Sequence, residues 1–275
     1  MGSKELEGTI VGMELRAHAL TLLCLTDPVL KAAATRELQA RAQADAALDT
    51  LCDIAEPAGV PGRPARPLLV APQQLARRSP FALDGRAALL HAVAHIEFNA
   101  INLALDAVWR FAGMPREYYL DWLRIAAEEA LHFTLLREHL ESLGHVYGDF
   151  DAHDGLWAMT HATRHDIVAR MALVPRTLEA RGLDATPPMR ARFAQAGDHR
   201  AAEILDVILR DEVTHVFAGN HWFRWLCARD GVDSIATYRE MARRYRAPRL
   251  RRPFNLEARR AAGFSAEELE ILETG

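Results

Sequence analysis

Residues Trp122-Leu123-Arg124-Ile125-Ala126-Ala127-Glu128-Glu129-Ala130-Leu131-His132-Phe133-Thr134-Leu135-Leu136 place a carboxylate and an imidazole where a helix needs apolar side chains. Steps of three and four residues give the stripe Trp122, Ile125, Glu129, His132, Leu136, Leu140 and Leu143, the face that meets a core. Further along, Leu205, Ile208, Glu212, His215, Gly219, Trp222 and Leu226 form a second stripe with the same interruption. Glu129-x-x-His132 and Glu212-x-x-His215 are the only two E-x-x-H matches in the chain. Roughly one such match is expected by chance at average residue frequencies, and chance does not put both on core faces.

Outward from these stretches, each pair has a partner one helix earlier. Upstream of the first, Leu90, Ala94, Glu97, Ile101, Ala104 and Val108 make a stripe; upstream of the second, Val168, Ala172, Pro175 and Glu179 do so. In an antiparallel hairpin, residues equidistant from the turn lie side by side. Glu97 and Glu129 have their midpoint at Gly113, in a Gly113-Met114-Pro115 turn signal, so they should face one another. Glu179 and Glu212 repeat the interval to within one residue. Glu179 falls in the last turn before Gly182, where the connection is irregular, and Asp166 and Asp154 are alternative carboxylates on that helix.

The spacing predicts long helices over about 84–111, 116–143 and 153–181. The third should stop at Gly182 and the Pro187-Pro188 pair; a short helix and a break at Gly197-Asp198 then precede a fourth, reaching about 229. Two shorter helical segments open the chain, over 14–25 and 28–54, the second started by Asp27 ahead of Pro28. A proline-rich connector follows to Pro80. The tail reads as an irregular arginine-rich stretch and then a short helix, opened by the capping box Ser265-Ala266-Glu267-Glu268. The fold class expected is all-α with a four-helix bundle at its centre. The expected division is N-terminal helices and connector over 13–80, bundle over 81–230, and C-terminal extension over 231–275.

Composition limits the alternatives. The 275 residues, half of them hydrophobic, suit a globular protein, and a net charge of -4 argues against a generally basic nucleic-acid binder. Cys24, Cys52 and Cys227 form no C-x-x-C pair, which leaves reduced thiols and a cytoplasmic location as the simplest reading. No uninterrupted apolar run reaches the ~18 residues of a membrane span; the nearest candidate, 87–109, is broken by histidine, asparagine and acidic residues. No secretion signal is evident at the N-terminus, and residues 1–12 are set aside as a leader ahead of Met13.

A glutamate and a histidine three residues apart project from one helix face and can share a metal ion. Four buried carboxylates repel, and each costs several kcal/mol of desolvation unless paired. None of the four stripes carries a lysine or arginine. Two divalent cations would neutralise Glu97, Glu129, His132, Glu179, Glu212 and His215, in the manner of dimetal carboxylate helix bundles. Ligation rich in carboxylate favours iron first and manganese next, over zinc or copper. Glu128 and Asp211 each precede a ligand glutamate and could orient a ligand histidine, although both lie off the stripe and the simpler reading is that they are solvated. His95, close to Glu97, belongs with them. His91, His95, Asn99, Asn102 and Asp106 form a polar stripe whose ordinary reading is the helix's wet face. His161 and His165 lie ~20 Å along the axis from Glu179 and read as structural or as lining an entrance.

The motifs also carry a family likeness. His91-Ala92-Val93-Ala94-His95-Ile96-Glu97, Glu128-Glu129-Ala130-Leu131-His132-Phe133, Tyr147-Gly148-Asp149-Phe150, Leu178-Glu179-Ala180-Arg181-Gly182 and Asp211-Glu212-Val213-Thr214-His215-Val216 resemble the bacterial ferritin-like family catalogued as domain of unknown function 455. The resemblance runs from about Met13 onward. It implies a ferritin-like bundle and the same six ligands, Glu179 included, but no reaction.

The function expected is a dimetal oxidoreductase, an O2- or peroxide-activating hydroxylase, with an unassigned small-molecule substrate and electrons from a separate reductase. The alternatives are a non-enzymatic metal-binding or stress-related protein, and a bundle serving only as a scaffold. Residues 239–260 hold nine arginines and two glutamates, leaving -11 on the rest of the chain. The simpler expectation is that these arginines pair with acidic groups on the bundle's outside. The alternative is a grip on RNA phosphates.

Overall fold

The computed structural model describes residues 14–44, 46–75 and 79–274, so the leader assigned to residues 1–12 lies outside the described residues. Eleven α-helices appear among them: α1 Leu15–Leu23, α2 Pro28–Gln43, α3 Leu83–Arg110, α4 Arg116–Ser142, α5 Gly155–Ala162, α6 Ile167–Leu173, α7 Ala180–Gln195, α8 His199–Arg229, α9 Ser234–Arg244, α10 Leu256–Ala261 and α11 Ala266–Thr274. Between α6 and α7 the chain makes a π-helical turn, Val174–Glu179. No strand occurs among the described residues; one isolated bridge joins Leu69 to Ala152. The protein is all-α.

The chain divides into two compact units, one of Met1–Leu75 with His91–His153, the other of Ala76–Leu90 with Asp154–Gly275. In the first unit, α3 turns through Gly113, whose φ of 78° suits a residue without a Cβ, into α4. His132 meets Glu97 at 3.3 Å and the Phe98 and Phe133 rings lie 5.6 Å apart, fixing α3 and α4 as an antiparallel pair. Asp27 caps α2 through the backbone N–H groups of Val29 and Leu30. That helix ends at Gln43, eleven residues before the end the sequence suggested. Arg16 is wholly buried on α1 and donates to the carbonyls of Val108, Trp109, Asp49 and Cys52. It thereby occupies acceptors that the end of α3 cannot satisfy within the helix.

By length and composition, α3 is apolar enough to cross a membrane, but 83% of its most apolar window is buried inside the protein. Its polar stripe is the clearest departure from expectation. His91, His95, Asn99, Asn102 and Asp106 are all buried, none more than 5% exposed. Lys31, itself buried, donates to Asn102 Oδ1 at 2.6 Å and to the carbonyls of Leu23 and Gly62. The Gly148 N–H donates to His91 Nε2, the Tyr147 hydroxyl lies 2.9 Å from His95 Nδ1, and Arg110 grips Asp106. The stripe is a buried polar seam, met at Asn102 by Lys31 of α2, at His91 and His95 by the loop after α4, and at Asp106 by Arg110 of α3 itself.

In the second unit α7 and α8 run antiparallel. A Cβ built on Gly219 would lie 2.5 Å from Pro175, one on Gly182 would lie 4.0 Å from Glu212 Cδ, and Arg190 pairs with Asp206. These contacts step in opposite directions along the two helices. The helix expected over 153–181 is broken after Ala162 and does not stop at Gly182; α7 continues through Pro187 and Pro188 to Gln195. Proline at 187 removes the N–H that would bond the carbonyl of Leu183. Asn255 Nδ2 donates to that carbonyl instead, at 3.2 Å, so α7 survives. The tail is more ordered than its composition suggested, with α9 and α10 inside it. The Ser265–Glu268 capping box forms reciprocally, Ser265 N–H to Glu268 Oε2 and Glu268 N–H to Ser265 Oγ.

Candidate metal centre

Glu97 on α3 and Glu129 and His132 on α4 are brought together by the helical spacing of the second pair and the antiparallel register of the hairpin. One ligand atom from each lies within 4.8 Å of the other two, and all three residues are buried. His132 Nδ1 stands 3.3 Å from Glu97 Oε2 and 3.3 Å from Glu129 Oε2. Burial first, then the charge of Glu129, push the Glu97 carboxyl up to about 8, against an ordinary 4.5, while His132 opposes the shift. A buried pair of carboxylates with one imidazole suits a divalent cation, which would replace the shared proton and relieve the repulsion. The donor set therefore fits iron or manganese.

In the second unit, Glu212 and His215 share the inner face of α8, buried, with His215 Nδ1 3.9 Å from Glu212 Oε1. Glu179 is also buried, at the end of the π turn and just before α7. The contacts of Pro175 with Gly219 and of Gly182 with Glu212 set it level with His215 on α8. This corresponds to Glu97, which lies level with His132. The likeness is incomplete, since the Glu179 carboxylate does not join Glu212 and His215 in a three-residue cluster of the same tightness.

The π turn is what places Glu179 in mid-helix. Thr177 Oγ1 donates to the carbonyl of Ala172, five residues back, and Pro175 contributes no N–H to the ladder. Gly219 lets α8 approach Pro175, where any side chain would collide. Arg176, in the same turn, reaches Glu268 at 2.5 Å and Asn220 at 2.7 Å, with the Phe223, Tyr238 and Phe264 rings about it. Burial alone would raise the Glu268 carboxyl, but the Arg176 charge holds it below its usual range.

Residues 24–270 match the family described as Protein of unknown function (DUF455). The chain belongs to the DUF455 family. An uncharacterized protein of Haemophilus influenzae is 52% identical over 214 residues, spanning 75% of this chain and 74% of that one. No solved structure matches the chain significantly.

Other candidate positions in this DUF455 chain have different surroundings. Glu128 makes an ion pair with Arg124 at 2.7 Å, and Asp211 with Arg210 at 2.8 Å. His161 and His165 are exposed. Asp166 caps α6, donated to by the Ala169 N–H, and Asp154 precedes α5. His95 lies in the polar seam between Tyr147 and Asn99, and burial, followed by the charge of His91, pushes its imidazole down to about 3. It is neutral at any physiological pH. His95, Phe98, Asn99 and Tyr147 border a cavity of about 30 Å³, room for one or two water molecules.

Sequence reasoning passed over Tyr147, Lys31 and Arg176 as packing partners of these segments. One signal was available for the seam. His91, His95, Asn99 and Asn102 are compact polar residues with few rotamers, whereas a wet helix face usually carries long charged side chains.

Proposed function

We propose that this protein is a ferritin-like helix bundle holding two divalent metal ions, iron first and manganese next. The ligands would be Glu97, Glu129 and His132 in one unit, and Glu179, Glu212 and His215 in the other. The observation that carries this reading is the cluster of Glu97, Glu129 and His132: two buried carboxylates within reach of one imidazole, where the charges acting most on Glu97 are those of Glu129 and His132 rather than a lysine or arginine. Such a cluster is unstable as bare charge and stable around a cation. Recurrence of the same donor set in the second half supports a second ion.

The activity proposed is that of an O2- or peroxide-activating oxidoreductase, hydroxylase-like, acting on a small-molecule substrate with electrons from an external reductase. When bound, the metals would supply redox equivalents and Lewis acidity for oxygen chemistry. The chain's own part is to fix the two ligand sets on rigid helices. Apolar side chains buried on the same helices, Phe98, Phe133, Trp122 and Ile208 among them, would help to exclude water and so strengthen the charges inside. The alternative is a non-enzymatic metal-binding or stress-related protein with the same ligands.

Metal analysis by plasma mass spectrometry of untagged protein tests the site. About two Fe or Mn per chain are expected, lost in Glu129→Ala/Glu212→Ala. Essentially no metal after anaerobic Fe(II) loading would end the reading. Oxygen consumption over many turnovers by the Fe(II)-loaded protein, given a reductant, separates the oxidoreductase from a protein that only binds metal.

A further inference from the structure

Charge is unevenly spread on this chain, and the structure leaves the positive share bare. Of the nine arginines in residues 239–260, Arg259 is buried against Asp184 and Arg244 lies 3.7 Å from Asp166. Arg246, Arg249, Arg251 and Arg252 are exposed in the stretch between α9 and α10, with Arg239 and Arg243 exposed on α9 and Arg260 on α10. None of these seven takes part in an ion pair among the described residues. The expected pairing with acidic groups on the outside thus holds for two arginines and fails for the rest.

The stretch that carries them is held at both ends. At its start the Ala247 N–H bonds the carbonyl of Ala242, with Arg246 in the left-handed region at φ 51°, and the Tyr245 hydroxyl reaches Asp166. At its end Asn255 binds Asp184 and Leu183, while Arg259 grips Asp184 and lies over the Phe254 ring. The anchoring uses the two paired arginines and the aromatic residues. A strap pinned in this way holds its free guanidinium groups outward at a lower entropic cost than a loose tail would pay.

We propose that this strap is a binding surface for the phosphodiester chain of a nucleic acid. Exposed arginines meet phosphate oxygens through paired N–H donors. A membrane surface fits less well, because Tyr245, Leu250 and Phe254 are at least partly buried and no large apolar side chain of the strap is exposed to enter lipid. The surface is independent of the metal sets, so either can fail without the other.

The test is fluorescence anisotropy with labelled single-stranded RNA and DNA of the same sequence, roughly 20 nucleotides long, titrated between about 50 and 200 mM salt. Parent protein should bind, with affinity falling as salt rises. Arg251→Gln/Arg252→Gln should lose about tenfold at the lowest salt and flatten the log–log salt slope by about 1.4, the release expected for two phosphate contacts on a single strand. Arg36→Gln/Arg190→Gln, two exposed arginines elsewhere with the same charge change, should leave both unchanged. Equal binding of RNA and DNA would mean that the backbone alone is read, and preference for RNA that the 2′-hydroxyl contributes; both support the surface. No binding of either strand at the lowest salt, equal loss in the two double variants, or binding only to anionic phospholipid vesicles would overturn it.

Discussion

Glu97 holds its proton well above the ordinary carboxylate range when no cation is bound. The unfolded chain ionises this group near 4.5 and the folded one near 8, so between those values the folded state carries one extra proton. Its contribution to stability is present below about pH 4.5 and is lost as pH rises towards 8. In chelated protein, Glu97→Gln should therefore gain stability over the parent as pH is raised through that window, by at most about 1.4 kcal/mol per pH unit. Urea denaturation of both proteins at a series of pH values reads the difference directly, and titrations shared by the two, such as those of His95 and Lys31, cancel. With Fe(II) or Mn(II) added the order should reverse, because glutamine lacks the charge that holds the cation. A pH-independent difference in the chelated proteins would show that Glu97 is not forced to share its burial with a second carboxylate. At this scale the burial of Glu97, Glu129, His132, Glu212 and His215 was legible, because each sits on an apolar stripe. The burial of His91 and Asn102 was not, because a polar seam and a wet face have the same periodicity and differ only in what covers them.

The helices show where local signals lose to tertiary contacts. Gly182 and the proline pair are sound stop signals by propensity, costing about 1 kcal/mol for the glycine and about 3 for each proline in a helix interior. The helix passes them because a residue some seventy positions away supplies the missing donor. Asn255→Ala should remove the bond to Leu183 and the cap on Ala258 together, destabilising the protein by about 1–3 kcal/mol. Adding Pro187→Ala should restore part of that loss, since the new N–H can reach the Leu183 carbonyl. A double-mutant cycle in denaturant measures this coupling, and strict additivity would show that Asn255 acts through its cap alone. Helix ends with complete local chemistry, such as Asp27-Pro28 and the Ser265–Glu268 box, were readable; those completed from elsewhere in the chain were not.

For the molecule as a whole, helical periodicity sufficed to give the all-α class, because long amphipathic stripes are the least ambiguous pattern a sequence holds. Composition gave the charge asymmetry but not its pairing, which depends on which acidic residues the tail meets. The three cysteines are free, with Cys24 and Cys52 exposed and Cys227 buried. Native protein should release two equivalents of chromophore with an aromatic disulfide reagent, Cys24 the slower of the exposed pair because burial raises its thiol, and a third only after unfolding. A third fast equivalent would place the α8–α9 corner in exchange with solvent. The π turn at Val174–Glu179 has a consequence in genetic terms. A π turn takes up roughly one residue more than an α-helical turn, so one in-frame codon lost there would let the segment relax to a regular helix while all that follows keeps its face. A codon lost within α7 finds no such slack and would turn the rest of that proline-bearing helix about 100° off its face. Lineages of this gene should therefore tolerate a one-residue gap in Val174–Glu179 far better than the same gap in the helix after it.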